Sequence, residues 1–291
     1  MAEKNTLKEM VNEATIQGTL LNNTVAIRTD KNNRRYLSGE LEIMTENDCT
    51  VPVSVFTYEL KNSGEKNPMF ERLSAYVDYP SARTVGVQKA PKIVISKARI
   101  ENNNFYSERD NRVVNTWRVN GTFVRTVASD AAPINQFQIQ GIVSSIKEVV
   151  DKEGETTGDY DIKLLNVGFG GKVNEITLRI DDKKAADYIN ANYEVGNLVT
   201  LYGEIFYEQK ERVVQEDTGF GEPIKTTYTN TTRLLRVTAG KEAKDGEEAG
   251  YKLKDLQTAV AQQNNNITER YNARAQATAT TSKASGADLL F

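Results

Sequence analysis

The sequence predicts a chain dominated by β-strands, with a minor helical part, folded as two similar five-stranded barrels in tandem. Three observations support this fold class. The motif IQGTL at residues 16–20 recurs as IQGIV at residues 139–143. Each half shows three strand-like segments, one helix-like segment and then two more strand-like segments. After Gly240 the composition becomes polar and then rich in Ala, Thr and Ser. A repeated β-rich unit indicates one binding chemistry used twice.

The repeat continues weakly beyond its first strand. GELEI at residues 39–43 is echoed by GDYDI at residues 158–162, and NRVV at residues 111–114 is echoed by ERVV at residues 211–214. Both echoes precede a last alternating strand in each half. They predict that the two halves share one strand order.

In the first half, alternating apolar residues predict strands over residues 15–27, 35–43, 51–58, 92–100 and 113–125. Pro52 cannot donate to a strand ladder, so it belongs at a strand's start or on an edge. A change of period predicts a helix over residues 68–77, with Pro68 at its first position.

In the second half, the same reasoning predicts strands over residues 137–150, 158–165, 175–180, 198–207 and 226–237, and a helix over residues 184–193. One helix between the third and fourth of five strands is the order of the OB-fold, a Greek-key barrel. The predicted organisation is an N-terminal arm (1–9), a first OB-fold (10–129), a second OB-fold (134–240), a linker with a helix (241–272) and a disordered tail with an apolar tip (273–291).

Composition excludes most catalytic and metal chemistry. The chain has no His and one Cys, Cys49, so it offers neither a zinc ligand set nor a His general base, and we expect no enzyme activity, metal or cofactor. Lone Cys49 forms no disulfide framework, and no apolar run reaches membrane-spanning length. We therefore expect a cytoplasmic protein, in the host cytoplasm if a phage encodes it.

Charge differs between the halves. The whole chain has a formal net charge of -3, yet residues 10–127 hold 16 Lys and Arg against 13 acids, a net +3. Residues 135–240 hold 12 against 17, a net -5. Because only the local potential attracts phosphate, overall acidity does not exclude nucleic acid, and the first half should supply most of the attraction.

Aromatic side chains interleaved with cations predict a single-stranded nucleic-acid site, because exposed bases stack on rings while phosphates contact cations. In the first half the candidates are Arg34, Arg35, Tyr36, Phe56, Tyr58, Phe105, Tyr106, Arg109, Arg112, Trp117 and Arg118. In the second half they are Tyr202, Phe206, Tyr207, Lys210, Arg212 and Arg233. Trp117 and Phe123 have one strand parity and Arg118 the other, so the first two either fill the barrel or contact bases.

With this layout the chain resembles the tandem OB-fold single-stranded DNA-binding proteins of phages and bacteria. The more specific sign is a polar tail that ends in Asp288, Leu289, Leu290 and Phe291. In the bacterial family such a tail ends in several acids, an apolar residue, Pro and Phe, and it recruits replication and repair enzymes. Here Leu290 stands where Pro is expected, and Gly286 and Ala287 stand where acids are expected. The resemblance implies apolar insertion of Phe291 into a partner protein.

The sequence therefore predicts a non-catalytic protein that coats and protects single-stranded DNA in replication or recombination, with little sequence preference. Two alternatives stay open. OB barrels also serve as adaptors in phage virions, which would require apolar barrel faces. Stacking alone does not separate DNA from RNA, so a module that binds single-stranded RNA is the third interpretation.

Overall fold

A computed structural model describes residues 7–46, 49–151, 153–216 and 224–285, and for residues 208–216, 224–225, 228–230 and 276–285 it describes the backbone alone. The described chain is mostly β-strand, with one long helix at its C-terminal end. Within the described residues, no helix combines the length and the apolar composition that a membrane crossing requires.

The first half contains nine strands and two short helices. In chain order they are β1 (Asn12–Asn23), β2 (Ala26–Thr29), β3 (Arg35–Met44), β4 (Thr50–Tyr58), α1 (Pro68–Ser74), α2 (Ala82–Val85), β5 (Lys92–Asn102), β6 (Phe105–Ser107), β7 (Arg112–Val114), β8 (Trp117–Asn120) and β9 (Phe123–Val127). As the sequence predicts, α1 begins at Pro68, and the Asn67 side chain caps it by accepting a hydrogen bond from the Met69 amide.

The second half and the C-terminal segment continue the chain. Their elements are β10 (Ile134–Val150), β11 (Thr156–Val167), β12 (Val173–Ile180), α3 (Lys183–Asn192), β13 (Asn197–Glu216), β14 (Ile224–Gly240), β15 (Lys244–Asp245) and α4 (Leu253–Ser285). The Asp182 side chain caps α3 by accepting from the Ala185 amide at 2.9 Å.

Strand pairing closes a ring in each half. In the first half β1 pairs with β3, β3 with β4, β4 with β8, β8 with β5, and β5 again with β1. In the second half the ring runs β10, β11, β12, β14, β13 and back to β10. The predicted β-dominated fold, with a closed five-stranded barrel and a C-terminal helix, is confirmed. That the halves are tandem OB-folds stays a prediction.

The two halves form one continuous sheet, because β1 pairs antiparallel with β10 from Asn12 opposite Ile139 to Gln17 opposite Ile134. Buried asparagines join them further. The Asn166 side chain is fully buried, and its Nδ2 donates to the carbonyls of Val11 (3.2 Å) and Gln140 (2.8 Å).

Two predicted features differ from the structure. The segment expected as one strand over residues 113–125 is divided into β7, β8 and β9, with breaks at residues 115–116 and 121–122. The helix expected within residues 241–272 continues to Ser285, into the segment for which the sequence predicts disorder. Ala has the highest helix propensity, and Ala is frequent in that extension.

The repeat is only partly structural. The IQG segments occupy equivalent places on β1 and β10, since each pairs with the neighbouring strands of its own ring. Leu20 lies opposite Ile43, whereas Val143 lies opposite Leu164. The sequence similarity equates Ile43 with Ile162, so it is displaced by two residues from the structural equivalence. The third similarity, between residues 111–114 and 211–214, has no structural equivalent. Residues 112–114 lie on β7, the second strand of its hairpin, whereas residues 212–214 lie on β13, the first strand of its hairpin with β14.

Candidate nucleic-acid interface

An open groove of about 600 Å³ crosses the outer face of the first half, over β4, β8, β5 and the start of β9. Its rings are Phe56 and Phe123, which are 52% and 46% exposed. Its charged lining consists of three cations, Lys97, Arg99 and Arg118, and two acids, Glu13 and Glu101. The groove therefore combines the two groups that a single nucleic-acid strand needs, apolar rings and positive charge.

A β-bulge in β5 directs two of these cations, Lys97 and Arg99, outward. The pairing of β1 with β5 shifts register between Ala14 and Ile16, and Lys97 adopts a left-handed backbone with φ of 54°. Ile95 and Ala98 both face the core, so the bulge changes the parity of the strand. Beyond it, Arg99 and Glu101 lie on the groove side.

Three aromatic rings continue the groove toward the edge of the sheet. Tyr36 lies opposite Tyr58 on the paired strands β3 and β4, and Phe56 is two residues before Tyr58. The Phe56 ring centroid is 5.6 Å from that of Tyr36 and 5.1 Å from that of Tyr58. Phe56 belongs to both the groove and this aromatic cluster, so it is the centre of the candidate site.

The predicted cations beside the cluster are partly neutralised. Arg34 forms an ion pair with Asp30 at 2.9 Å and lies 4.6 Å from the centroid of the Tyr58 ring. The Arg34 amide also donates to Asp30, which lowers the pKa of that carboxyl. Arg35 is paired with Glu59 at 2.7 Å. The Arg34 and Arg35 side chains are 57% and 51% exposed, although their carboxylate partners are only 18% and 31% exposed, so both arginines remain accessible to phosphate.

The groove cations differ from one another in their pairing. Arg99 is paired with Glu9 at 2.8 Å. Among the described residues, neither Lys97 nor Arg118 has a carboxylate within ion-pair distance. Lys97 and Arg118 are therefore the positive charges most available to a ligand.

The hairpin of β6 and β7 presents its two predicted rings differently. Phe105 is 51% exposed. Tyr106 instead stacks on Tyr271 of α4, with ring centroids 4.3 Å apart and planes at 19°. One face of the Tyr106 ring is thus covered by protein, and its predicted role as a stacking platform stays a prediction for the other face. Arg109 and Arg112 are exposed at the hairpin.

Trp117 lies away from the groove. It packs partly buried against the core, and it lines a cleft of about 200 Å³ between the halves together with Arg179 and Arg233. Strand alternation places Arg118 in the groove and Trp117 on the other side. Trp117 is therefore separate from the groove residues, and its base contact stays a prediction.

The second half covers its predicted rings with cations. The nearest cations to the centroids of Tyr202, Phe206 and Tyr207 are Lys241 at 5.9 Å, Arg236 at 4.8 Å and Arg233 at 4.8 Å. Arg236 is itself paired with Asp181 and Glu204, at 2.6 and 3.0 Å. The side chains of Lys210 and Arg212 lie outside the described residues.

The arrangement favours the first half as the binding face. The structure brings together Tyr36, Phe56, Tyr58 and Arg118 from the predicted set, and it adds Lys97, Arg99 and Phe123. The sequence does not predict Lys97 and Arg99 as site residues, because the bulge in β5 changes which side of the strand they face. A bulge has no clear sequence signal. Phe123 was recognised as aromatic, but its exposure depends on the break after β8. Asp288, Leu289, Leu290 and Phe291 lie outside the described residues.

The described residues contain no group of three or more His, Cys, Asp or Glu side chains placed to hold a metal ion. The sequence matches no curated protein.

Solved structures align with this chain at low sequence identity. The single-stranded DNA binding protein from Thermus aquaticus aligns with a TM-score of 0.51 and 10% identity, over 82% of this chain and 96% of that one. A deletion variant of that Thermus aquaticus protein aligns with a TM-score of 0.47 and 10% identity, over 80% and 95%. At this identity the first likeness shows a common fold.

The sequence itself is matched by one family model. The YorF model covers residues 10–273, which includes both strand rings and most of α4. Since this match spans far more than half of the chain, the protein belongs to the YorF family.

Proposed function

We propose that this protein binds single-stranded DNA along the groove of its first half, with little sequence preference. The observation that carries the proposal is the position of Phe56, which lies in a groove with Lys97 and Arg118 and in contact with the rings of Tyr36 and Tyr58. Bases stack on the exposed rings, and phosphates contact the cations. Every base has a π-face, so stacking of this kind tolerates any sequence.

We further propose that the two halves are OB-folds in tandem and that the first half supplies most of the affinity. Both rings of strand pairing support the architecture, as does the likeness in fold to a protein named as a single-stranded DNA binding protein. In the second half, the carboxylates around Arg179 and Arg236 oppose phosphate. Its part in the proposed function is to extend and support the binding face.

Titration of the full chain with labelled oligo-dT at rising salt tests the proposal. We expect Phe56→Ala to weaken binding about 5- to 150-fold, because stacking contributes about 1–3 kcal/mol per base. Arg118→Ala should weaken binding and lower the salt slope by about 0.7, the value for one phosphate contact on a single strand. Lys254→Ala, an exposed cation on α4, is the matched control and should change neither. Binding that is absent, or insensitive to both groove variants, contradicts the proposal.

Competition separates the related ligands. Unlabelled single-stranded DNA should displace the oligo-dT, and duplex DNA should displace it poorly because its bases are already stacked. Single-stranded RNA that competes better than DNA would favour the RNA-binding interpretation.

The proposal extends to coating of single strands in replication or recombination, with partner proteins recruited by Asp288, Leu289, Leu290 and Phe291. This part rests on the sequence resemblance of the C-terminal tip. Deletion of residues 289–291 should leave affinity for oligo-dT unchanged and abolish capture of partner proteins. Equal loss of both activities contradicts this division of labour.

A further inference from the structure

The hairpin of β6 and β7 extends the pair of strands that forms the middle of the groove. Asn102 at the end of β5 lies opposite Trp117 at the start of β8, and the hairpin connects these two ends. The hairpin forms a two-stranded sheet separate from the large sheet. The hairpin nevertheless continues the register of the β5–β8 pair, and the Asn103 amide donates to the Thr116 carbonyl at 2.8 Å between the two. Among the described residues no third strand pairs with the hairpin, and an isolated two-stranded hairpin is marginally stable.

Helix α4 supplies the missing support. The Asn104 side chain donates to Asn264 at 3.3 Å, and the Tyr106 ring stacks on the Tyr271 ring at 4.3 Å. A hydrogen bond with the Glu108 carboxylate raises the pKa of Tyr271. The helix thus contacts the hairpin through residues 104 and 106 and through the turn that follows them.

The other end of α4 is anchored in the second half. Leu256 is fully buried and Val260 is 8% exposed, in an apolar cluster with Val167 and Leu198. The helix is therefore fixed on one half and holds a hairpin of the other.

The supported face of the hairpin determines where its remaining ring points. Residues 104 and 106 face α4, and side chains alternate along a strand, so Phe105 projects from the opposite side. Phe105 has the parity of Arg99 and Glu101, which line the groove, and it is 51% exposed.

We propose that Tyr271 is a positioning residue for DNA binding: by stacking on Tyr106 it holds the hairpin so that Phe105 extends the row of stacking rings beyond the groove. This inference rests on the proposed function, because it assumes that single-stranded DNA occupies the groove. Helix α4 then acts as a brace, which means that it is anchored on the second half and holds the hairpin of the first half. Through this brace the second half controls the contact between Phe105 and DNA.

A measurement without DNA tests the brace itself. Arg109 and Arg112 are exposed trypsin sites in the hairpin, and mass spectrometry follows cleavage at each of them. Tyr271→Ala should speed cleavage at both sites, and Tyr271→Phe, which keeps the ring, should not. Glu269→Ala, an exposed change on the same helix, controls for loss of helix stability. Unchanged cleavage in Tyr271→Ala overturns the inference, whatever the protein binds.

A double-mutant cycle on the full chain tests the coupling to DNA. Phe105→Ala should weaken oligo-dT binding about 5- to 150-fold. Tyr271→Ala should weaken binding by no more than that, and the double variant should bind like Phe105→Ala. Independent losses in the double variant overturn the role of Tyr271 as a positioning residue.

The same titrations separate the two levels of proposal. If Phe105→Ala has no effect while Arg118→Ala weakens binding, the proposed function stands and this inference fails. If the wild-type chain does not bind oligo-dT, the proposed function fails and the inference falls with it.

Discussion

Lys97 shows how one residue combines backbone strain with a candidate contact. Its φ of 54° lies in the left-handed region, which costs an L-residue about 1–2 kcal/mol, and its side chain lines the groove. Non-glycine residues held in such conformations concentrate at functional sites. Glycine would adopt this backbone without the steric cost, so the presence of Lys favours a role for its charge.

We expect Lys97→Gly to stabilise the fold by about 0.5 kcal/mol, because relief of strain exceeds the added chain entropy. Lys97→Ala keeps the Cβ atom and should bring no gain. Both variants should weaken oligo-dT binding equally and lower the salt slope by about 0.7. Urea unfolding and salt titration measure the two effects, and a stability loss in Lys97→Gly would contradict the strain argument.

Glu40 is a carboxyl whose ionisation works against the fold. Burial raises the pKa of Glu40, and the neighbouring Glu42 raises it further, while Arg233 opposes the shift. A carboxyl whose pKa is higher in the folded state than in the unfolded state contributes to stability at low pH. That contribution is lost as pH rises through the pKa of the folded state.

Glu40→Gln should therefore stabilise the protein at neutral pH, and the gain should disappear as pH falls below the pKa of the carboxyl. Urea unfolding at a series of pH values measures this difference. Glu65→Gln, at an exposed ion pair with Lys61, is the control and should show little pH-dependent change. A gain that grows as pH falls would reverse the sign and contradict the argument.

At the scale of elements, the repeated glycines of β1 and β10 explain why the IQG motif occurs twice. A Cβ atom on Gly18 would overlap the Met44 carbonyl oxygen on β3. A Cβ atom on Gly141 would lie 2.9 Å from the Leu164 Cβ on β11. In each ring the first strand passes close to its neighbour, and only glycine permits the approach.

Gly18→Ala should cost about 3 kcal/mol of stability and Gly141→Ala about 1–2 kcal/mol, because the overlap of an added Cβ atom is much closer at Gly18 than at Gly141. Urea unfolding of the two variants ranks the costs. Equal losses of stability, or a larger loss for Gly141→Ala, would show that the distance to the neighbouring strand does not determine the cost of the substitution.

At the scale of the whole molecule, the contact between the halves is polar as well as apolar. Asn12 of the first half donates to the Asn166 side chain of the second half at 3.1 Å, and Asn166 donates to the Val11 carbonyl of the first half at 3.2 Å. Each half therefore satisfies buried groups of the other. The contact of α4 with the hairpin and the cleft that contains Trp117 depend on this fixed arrangement.

Asn166→Ala should destabilise the protein by about 1–3 kcal/mol, because it removes the buried hydrogen bonds of Asn166 with the Val11 and Gln140 carbonyls and with Asn12. The Val11 carbonyl still accepts from the Gln140 amide, and Asn12 still bonds to Ile100. Asn115→Ala, which removes an exposed hydrogen bond to Glu175, should change stability by less than about 0.5 kcal/mol. Equal effects in urea unfolding would mean that the interface does not depend on the buried network.

The sequence alone determined the β-dominated fold, the start of α1 and the central aromatic residues of the candidate site, since these follow from alternation, capping and local composition. Tyr36, Phe56 and Tyr58 are in register because neighbouring strands pair along their whole length. Local pattern is sufficient for such features.

Tertiary structure alone decided which side several residues face and what covers them. The bulge at Lys97 changes the parity of β5, the contact with Tyr271 covers Tyr106, and the second half encloses Trp117. Each outcome depends on strand register or on a contact between residues far apart in the chain. Side-chain periodicity in the sequence predicts neither strand register nor contacts between distant residues, because it reflects only the local conformation of one strand.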